Sequence, residues 1–280
     1  MIWQTSHRRL ELDRPAVMGI LNLTPDSFSD GAKYWSTDSA LTRADQMVAE
    51  GADIIDIGGE STRPGGTSVE ASEEIRRTQP IIKAVAGRHS VPISIDTTRF
   101  ETALAALDAG AEIINDISGL RFDERLAELA SSSGCGLVLM HSRGNFETMH
   151  LQEPVPDIVS DITTEFRRAI ALAAGQGVHD DQIVLDIGLG FGKSFEQNLE
   201  LIAKLDKIVE EFNDYPLLIG ASRKSFIGKV LNGADPDHRL GGSLCVAIEA
   251  VNKGAAIIRA HDVKETVDSL SMLRAIRNFE

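Results

Sequence analysis

The chain has 280 residues, 42% of them hydrophobic and 25% charged, enough for one large α/β barrel or two ordinary domains. A formal net charge of −14 argues against a nucleic-acid partner, which needs a positive footprint. No run reaches the ~18 uncharged apolar residues of a membrane span, and the start, Met1-Ile2-Trp3-Gln4-Thr5-Ser6, lacks the apolar core of a signal peptide, so a cytoplasmic location is expected.

In chain order, a first apolar run, Ala16-Val17-Met18-Gly19-Ile20-Leu21, ends at Asn22, and a helical pattern covers 38–50. Gly51-Ala52-Asp53-Ile54-Ile55 leads to Asp56, a helix follows over 69–87, and Val91-Pro92-Ile93-Ser94-Ile95 leads to Asp96. After a helix over 99–109, Gly110-Ala111-Glu112-Ile113-Ile114 ends at Asn115. A helix over 123–132 precedes Gly136-Leu137-Val138-Leu139-Met140, which ends at His141, and a helix over 157–175 precedes Ile183-Val184-Leu185, which ends at Asp186. The last units are a helix over 195–211, Pro216-Leu217-Leu218-Ile219 ending at Gly220, a helix over 238–253, Gly254-Ala255-Ala256-Ile257-Ile258 ending at Arg259, and a helix over 263–277.

Gly51, Gly110 and Gly254 open three of these runs in the same way. Each suits a helix C-cap, where φ is positive, before a β-branched strand buried on both faces. Eight alternations predict one closed (β/α)₈ barrel over residues 1–280 with no linker dividing it. The rival, an open doubly wound sheet, usually carries a Gly-rich turn after its first strand; here Asn22-Leu23-Thr24-Pro25-Asp26 stands there. Cys135 and Cys245 lie far apart in apolar or small-residue runs and read as small hydrophobes.

A barrel builds its active site at the C-terminal ends of its strands. Asn22, Asp56, Asp96, Asn115, His141, Asp186 and Arg259 should then surround one cavity, although His141 taken alone reads better as a satisfied structural histidine. The loops beyond these ends carry further signals. They are Asn22 to Gly31, Gly58-Gly59-Glu60-Ser61-Thr62-Arg63-Pro64-Gly65, Asp186-Ile187-Gly188-Leu189-Gly190-Phe191-Gly192-Lys193, Gly220-Ala221-Ser222-Arg223-Lys224 and Arg259-Ala260-His261-Asp262-Val263.

Together with Ser94-Ile95-Asp96-Thr97 and Asn115-Asp116-Ile117, these ordered blocks resemble the dihydropteroate synthase family, from about Met18 to Val267. The resemblance implies an enzyme that joins 7,8-dihydropterin-6-ylmethyl diphosphate to p-aminobenzoate by an SN1-like displacement in folate synthesis, and a target of sulfonamides. It places the flat pterin against Asp96, Asn115, Asp186 and Lys224, between the apolar walls Ile117 and Met140. It gives the diphosphate to Asn22, Arg63, Arg259 and His261, with Mg²⁺ held at Asn22. It gives p-aminobenzoate to Phe28, Thr62, Arg63, Pro64, Phe191 and Ser222. Asp96, Lys224 and Arg259 are the expected catalytic residues.

Two other activities share parts of this pattern: a pterin-dependent methyltransferase and a pterin-binding paralogue without turnover. The resemblance further implies a homodimer. The stripe Val267, Leu270, Leu273 and Ile276 on the last helix suits either a dimer face or a cover for the barrel. One departure stands out: Ile187 follows Asp186 where the family commonly has Pro, which implies a looser turn at that strand end.

Overall fold

The structure is a computed structural model that describes residues 1–24, 37–61, 66, 68–149 and 151–279. Two short strands, β1 (Ile2–Gln4) and β2 (Arg9–Glu11), pair antiparallel as a hairpin. Eight parallel strands then close a barrel: β3 (Ala16–Asn22), β4 (Ile54–Gly58), β5 (Ile93–Asp96), β6 (Ile113–Asp116), β7 (Gly136–Met140), β8 (Ile183–Asp186), β9 (Leu217–Ile219) and β10 (Ile257–Ala260). They neighbour one another in sequence order, and β10 returns to β3.

Helices α1 (Thr37–Ala49), α2 (Ala71–Ala86), α3 (Phe100–Asp108), α4 (Arg125–Ser133) and α5 (Ile158–Gly175) fill the first crossovers. α6 (Phe195–Ala203), α7 (Leu205–Glu211), α8 (Ser225–Val230), α9 (Leu240–Asn252) and α10 (Val263–Arg277) complete the outer ring. The expected helix–strand switches hold: Gly51, Gly110 and Gly254 have φ of 97°, 109° and 100°, a region that costs a residue with a Cβ far more than glycine. The helix expected over 195–211 is two, because the backbone breaks at Lys204. The N-terminal hairpin and α8 have no counterpart in the sequence reading. No helix among the described residues is long and apolar enough to cross a membrane.

Alternation along the strands decides what faces inward. Trp3, Ala16, Met18, Ile54, Ile113, Val138, Val184, Leu218 and Ile257 form one buried cluster inside the barrel. A second, larger cluster, including Ile55, Ile57, Ile81, Ile114, Leu137 and Leu185, fills the space between strands and helices. Two residues beyond Ile54, Ile113, Val138, Val184 and Ile257, on the same inner face, come Asp56, Asn115, Met140, Asp186 and Arg259. The apolar plug is therefore the floor on which the polar layer stands.

Trp3 closes the other end of that plug. Its indole is fully buried, donates from Nε1 to the Gln182 carbonyl at 2.8 Å, and lies where a Cβ on Gly136 would come within 3.0 Å of it. The hairpin is fastened by Thr5 and Arg8, which meet the buried Glu112 carboxylate at 2.7 and 2.6 Å.

The apolar stripe of α10 mostly covers the barrel: Leu270 is buried, and Val267 and Leu273 pack against the core. Met272 and Ile276 are left outward, at 62% and 52% exposure.

Candidate active site

The inner polar layer is tightly cross-linked. Asp56 sits with its side chain fully buried, and its Oδ2 accepts from Arg259 Nε at 2.6 Å and from Asn115 Nδ2 at 3.2 Å. Arg259 also donates through Nη2 to Asp96 Oδ2 at 2.7 Å. One guanidinium from β10 thus bridges carboxylates of β4 and β5. Asp56 Oδ1 is buried without a hydrogen-bond partner among the described residues.

Burial raises the Asp96 carboxyl to a pKa of about 7; Arg259 pulls it down, while Asp56, Glu74 and Glu60 push it further up. Asp186 is likewise raised by burial and held back by Lys224 and the Gly188 N–H. Lys224, at the start of α8, is lowered to about 8, again chiefly by burial, with Asp186 opposing. A cluster whose acids are drawn up and whose lysine is drawn down is the usual setting for binding and charge stabilisation.

The turn after β8 is not loose. Gly188 N–H donates to Asp186 Oδ1 at 2.7 Å, and Ile187 is fully buried. The expectation attached to Ile187 is corrected here, because the Asp186 side chain closes the turn without a proline. Gly188 has φ of 61°, and a Cβ there would collide with the His141 carbonyl. Lys193 adds a clasp that the sequence reading missed. Its Nζ donates to the carbonyls of Gly188, Phe191 and His141 at 2.8, 3.1 and 3.2 Å, and lies 2.9 Å from His141 Nδ1. The same loop presents Phe191, whose ring centroid is 4.5 Å from the Lys224 ammonium, and the Leu189 carbonyl, which accepts from Lys224.

His141 does not belong to the cavity ring expected from strand ends. It follows the inward-facing Met140, and alternation turns it outward. There it is buried between Lys193 and Asp161, whose Oδ2 lies 3.2 Å from Nε2. Burial and the Lys193 cation lower its pKa to about 4, in keeping with the structural reading of this residue.

On the far side, Ser222 Oγ accepts from the His261 backbone N–H at 3.2 Å and lies 3.0 Å from its Nδ1, just before the N-terminus of α10. The adjacent Arg223 is taken up by Asp262, at 2.5 and 3.1 Å, and by Asp237. Ile117 and Met140 are buried at the ends of their strands. The base of the loop after β4 is pinned by a network that sequence reasoning also missed. Glu60 Oε1 accepts from Arg99, Val69 N–H and Ser68 at 2.9, 2.8 and 3.0 Å, and Arg99 reaches the buried Glu74 at 3.1 Å. Phe28, Thr62, Arg63 and Pro64 lie outside the described residues.

Residues 18–261 match the family model described as pterin binding enzyme. The chain is 46% identical over 251 residues to the dihydropteroate synthase of Synechocystis, covering 90% of this chain and 86% of that one. The chain belongs to the dihydropteroate synthase family. Among solved structures, Yersinia pestis dihydropteroate synthase in a sulfonamide drug complex aligns with a TM-score of 0.93 at 41% identity, covering 99% of this chain and 100% of that one. The Xanthomonas albilineans enzyme with 4-aminobenzoic acid aligns with a TM-score of 0.91 at 37% identity, covering 99% of each. The family is one of transferases, and the residues that carried the resemblance from sequence are those that the barrel gathers: Asp96, Asn115, Asp186, Lys224 and Arg259 lie together at the C-terminal end of the barrel.

Proposed function

We infer that the chain condenses 7,8-dihydropterin-6-ylmethyl diphosphate with p-aminobenzoate to give 7,8-dihydropteroate and diphosphate. The observation that carries this reading is the inner polar layer. Carboxylates of Asp96 and Asp186 and the amide of Asn115 converge with the Lys224 ammonium above an apolar floor. A flat heterocycle with N–H donors on one edge and a carbonyl on another suits that set, since each buried polar group left unpaired costs about 1–3 kcal/mol. Asp96, Asn115 and Asp186 take the donor edge, Lys224 takes the carbonyl or a ring nitrogen, and Ile117 and Met140 supply the walls.

In the reaction, the bond between the methylene carbon and the diphosphate oxygen breaks, and the electron pair leaves with diphosphate. The cation left behind is delocalised into the pterin, where the Asp96 carboxylate offsets its charge. The aniline nitrogen then attacks and releases a proton. Arg259 on β10 would take the leaving group by paired hydrogen bonds, and His261, just before α10, would hold it with the help of that helix's N-terminus, with Arg63 assigned beside them from the resemblance. Ser222 and Phe191, with Phe28, Thr62 and Pro64 by the same resemblance, form the place of p-aminobenzoate.

Asn22 is the residue that would hold Mg²⁺. Gly58 leaves the space beside it open: a Cβ there would lie 3.6 Å from Asn22 Oδ1 and 3.4 Å from Asp96 Cβ. A single amide oxygen fits an ion that keeps its waters and shares substrate phosphates, where its chemistry is neutralisation of the diphosphate charge. The outward Met272 and Ile276 of α10 fit a homodimer in the cytoplasm; sedimentation of the purified protein reads its mass directly.

The test is diphosphate release from the pterin diphosphate and Mg²⁺, with and without p-aminobenzoate. Release that depends on the amine and yields dihydropteroate supports the reading. Tight pterin binding without product would instead point to a binding paralogue. Arg259→Ala is expected to weaken the pterin diphosphate about tenfold more than the bare pterin, the loss of a charge-assisted pair. Calorimetric titration of both ligands measures this, and equal losses would remove Arg259 from the phosphate role.

A further inference from the structure

Asp56 has no role in the reaction as derived so far, and its side chain is fully buried, so it acts on a ligand only through its neighbours. Two of them matter. Oδ2 accepts from Arg259 at 2.6 Å and from the Asn115 amide at 3.2 Å. A carboxylate only accepts, so the end of the amide that faces it must be the NH₂ group. The Asn115 side-chain oxygen Oδ1 is thereby turned away from Asp56. Turning the amide over would set two oxygens against each other inside the barrel.

We propose that Asp56 is a positioning residue that locks the Asn115 amide with its oxygen toward the ligand, so that the pocket selects a heterocycle presenting an N–H donor at that point. This rests on the reading that the ligand is a dihydropterin. It makes the choice of heterocycle depend on a residue behind the pocket wall. Without Asp56, the amide of Asn115 serves a donor or an acceptor equally by rotating, and the pocket loses one element of its selectivity.

The experiment is calorimetric titration of 6-hydroxymethyl-7,8-dihydropterin, which lacks the diphosphate, into wild type, D56A and the double variant D56A/N115D. Alanine is chosen because asparagine would keep one oxygen for Arg259 and Asn115. D56A removes both acceptors and frees the amide, and its affinity is expected to fall about tenfold. In the double variant the carboxylate moves to position 115, where it offers the ligand an oxygen whichever way it turns, and affinity is expected to return to within about threefold of wild type. A purely structural role for Asp56 gives no such recovery. D56A that binds like wild type, or a folded double variant no tighter than D56A, overturns the proposal.

Should the double variant not fold by circular dichroism, D56A titrated separately with the bare pterin and with inorganic diphosphate decides, since Asp56 also holds Arg259. A weakened bare pterin with unchanged diphosphate binding supports the proposal, and a loss confined to diphosphate overturns it. Wild-type protein that fails to bind the pterin at all overturns the functional reading, and this inference with it.

Discussion

Asp96→Ala is expected to lower kcat/KM by about 10²–10³-fold, the scale of losing one preorganised electrostatic contact to a charge that develops in the transition state. Lys224→Ala should fall in the same range. Both side chains lie at the C-terminal end of the barrel, away from the apolar plug, so circular dichroism and melting should show an intact fold. Near-wild-type turnover in either variant would remove its assigned role. The pH profile provides a finer check. Asp96 must be ionised and stands at about 7 in the free protein, while Lys224 must be protonated and stands at about 8. The profile of kcat/KM should therefore be a narrow bell with its limbs near those values. Lys224→Arg should flatten the alkaline limb, because a guanidinium stays charged throughout.

The same carboxyl carries a stability cost whose sign can be worked out. Its folded-state pKa lies above the unfolded value of 3.8, so protonation favours the fold. Its stabilising contribution is fully present below about pH 4 and is lost as pH rises through about 7. Asp96→Asn should then melt higher than wild type at pH 8, with the gain vanishing at pH 4, while Arg259 keeps its Asp56 partner. Activity and stability would move in opposite directions in this one variant.

Trp3→Ala should destabilise the fold by about 3–5 kcal/mol, the usual cost of truncating a buried aromatic to Ala, and leave the Gln182 carbonyl without its indole donor. The cavity would open at the floor of the barrel, beneath Met18, Ile54, Ile113 and Val184. Asp96 and Lys224 are separated from it by that apolar layer. Turnover per folded molecule should accordingly stay near wild type, while urea unfolding shifts to a lower midpoint. An unchanged midpoint would mean that the hairpin does not close the barrel.

How much of this was readable before folding follows from periodicity. Strands buried on both faces announce themselves as β-branched runs, and three of them open with glycines whose positive φ the structure confirms. That was enough for a closed barrel. A polar residue ending such a run marks the rim, and Asp96, Asn115, Asp186 and Arg259 were legible on that ground. Parity within the strand decides which of two adjacent residues points inward, and His141 next to Met140 shows how a count of strand ends alone goes astray.

The sequence by itself determined the alternation of elements, the polar rim and, through its ordered loop blocks, the family. Only the tertiary structure decided that Asp56 stands behind both Arg259 and Asn115, that Lys193 clasps the loop after β8, and that Trp3 closes the far end. The physical reason is sequence separation. Propensity and periodicity are written in neighbouring residues, whereas the bridge from Asp56 to Arg259 spans 203 positions and that from Trp3 to Gln182 spans 179. Such pairs meet only once the sheet has closed and its register has set which side chains share a face.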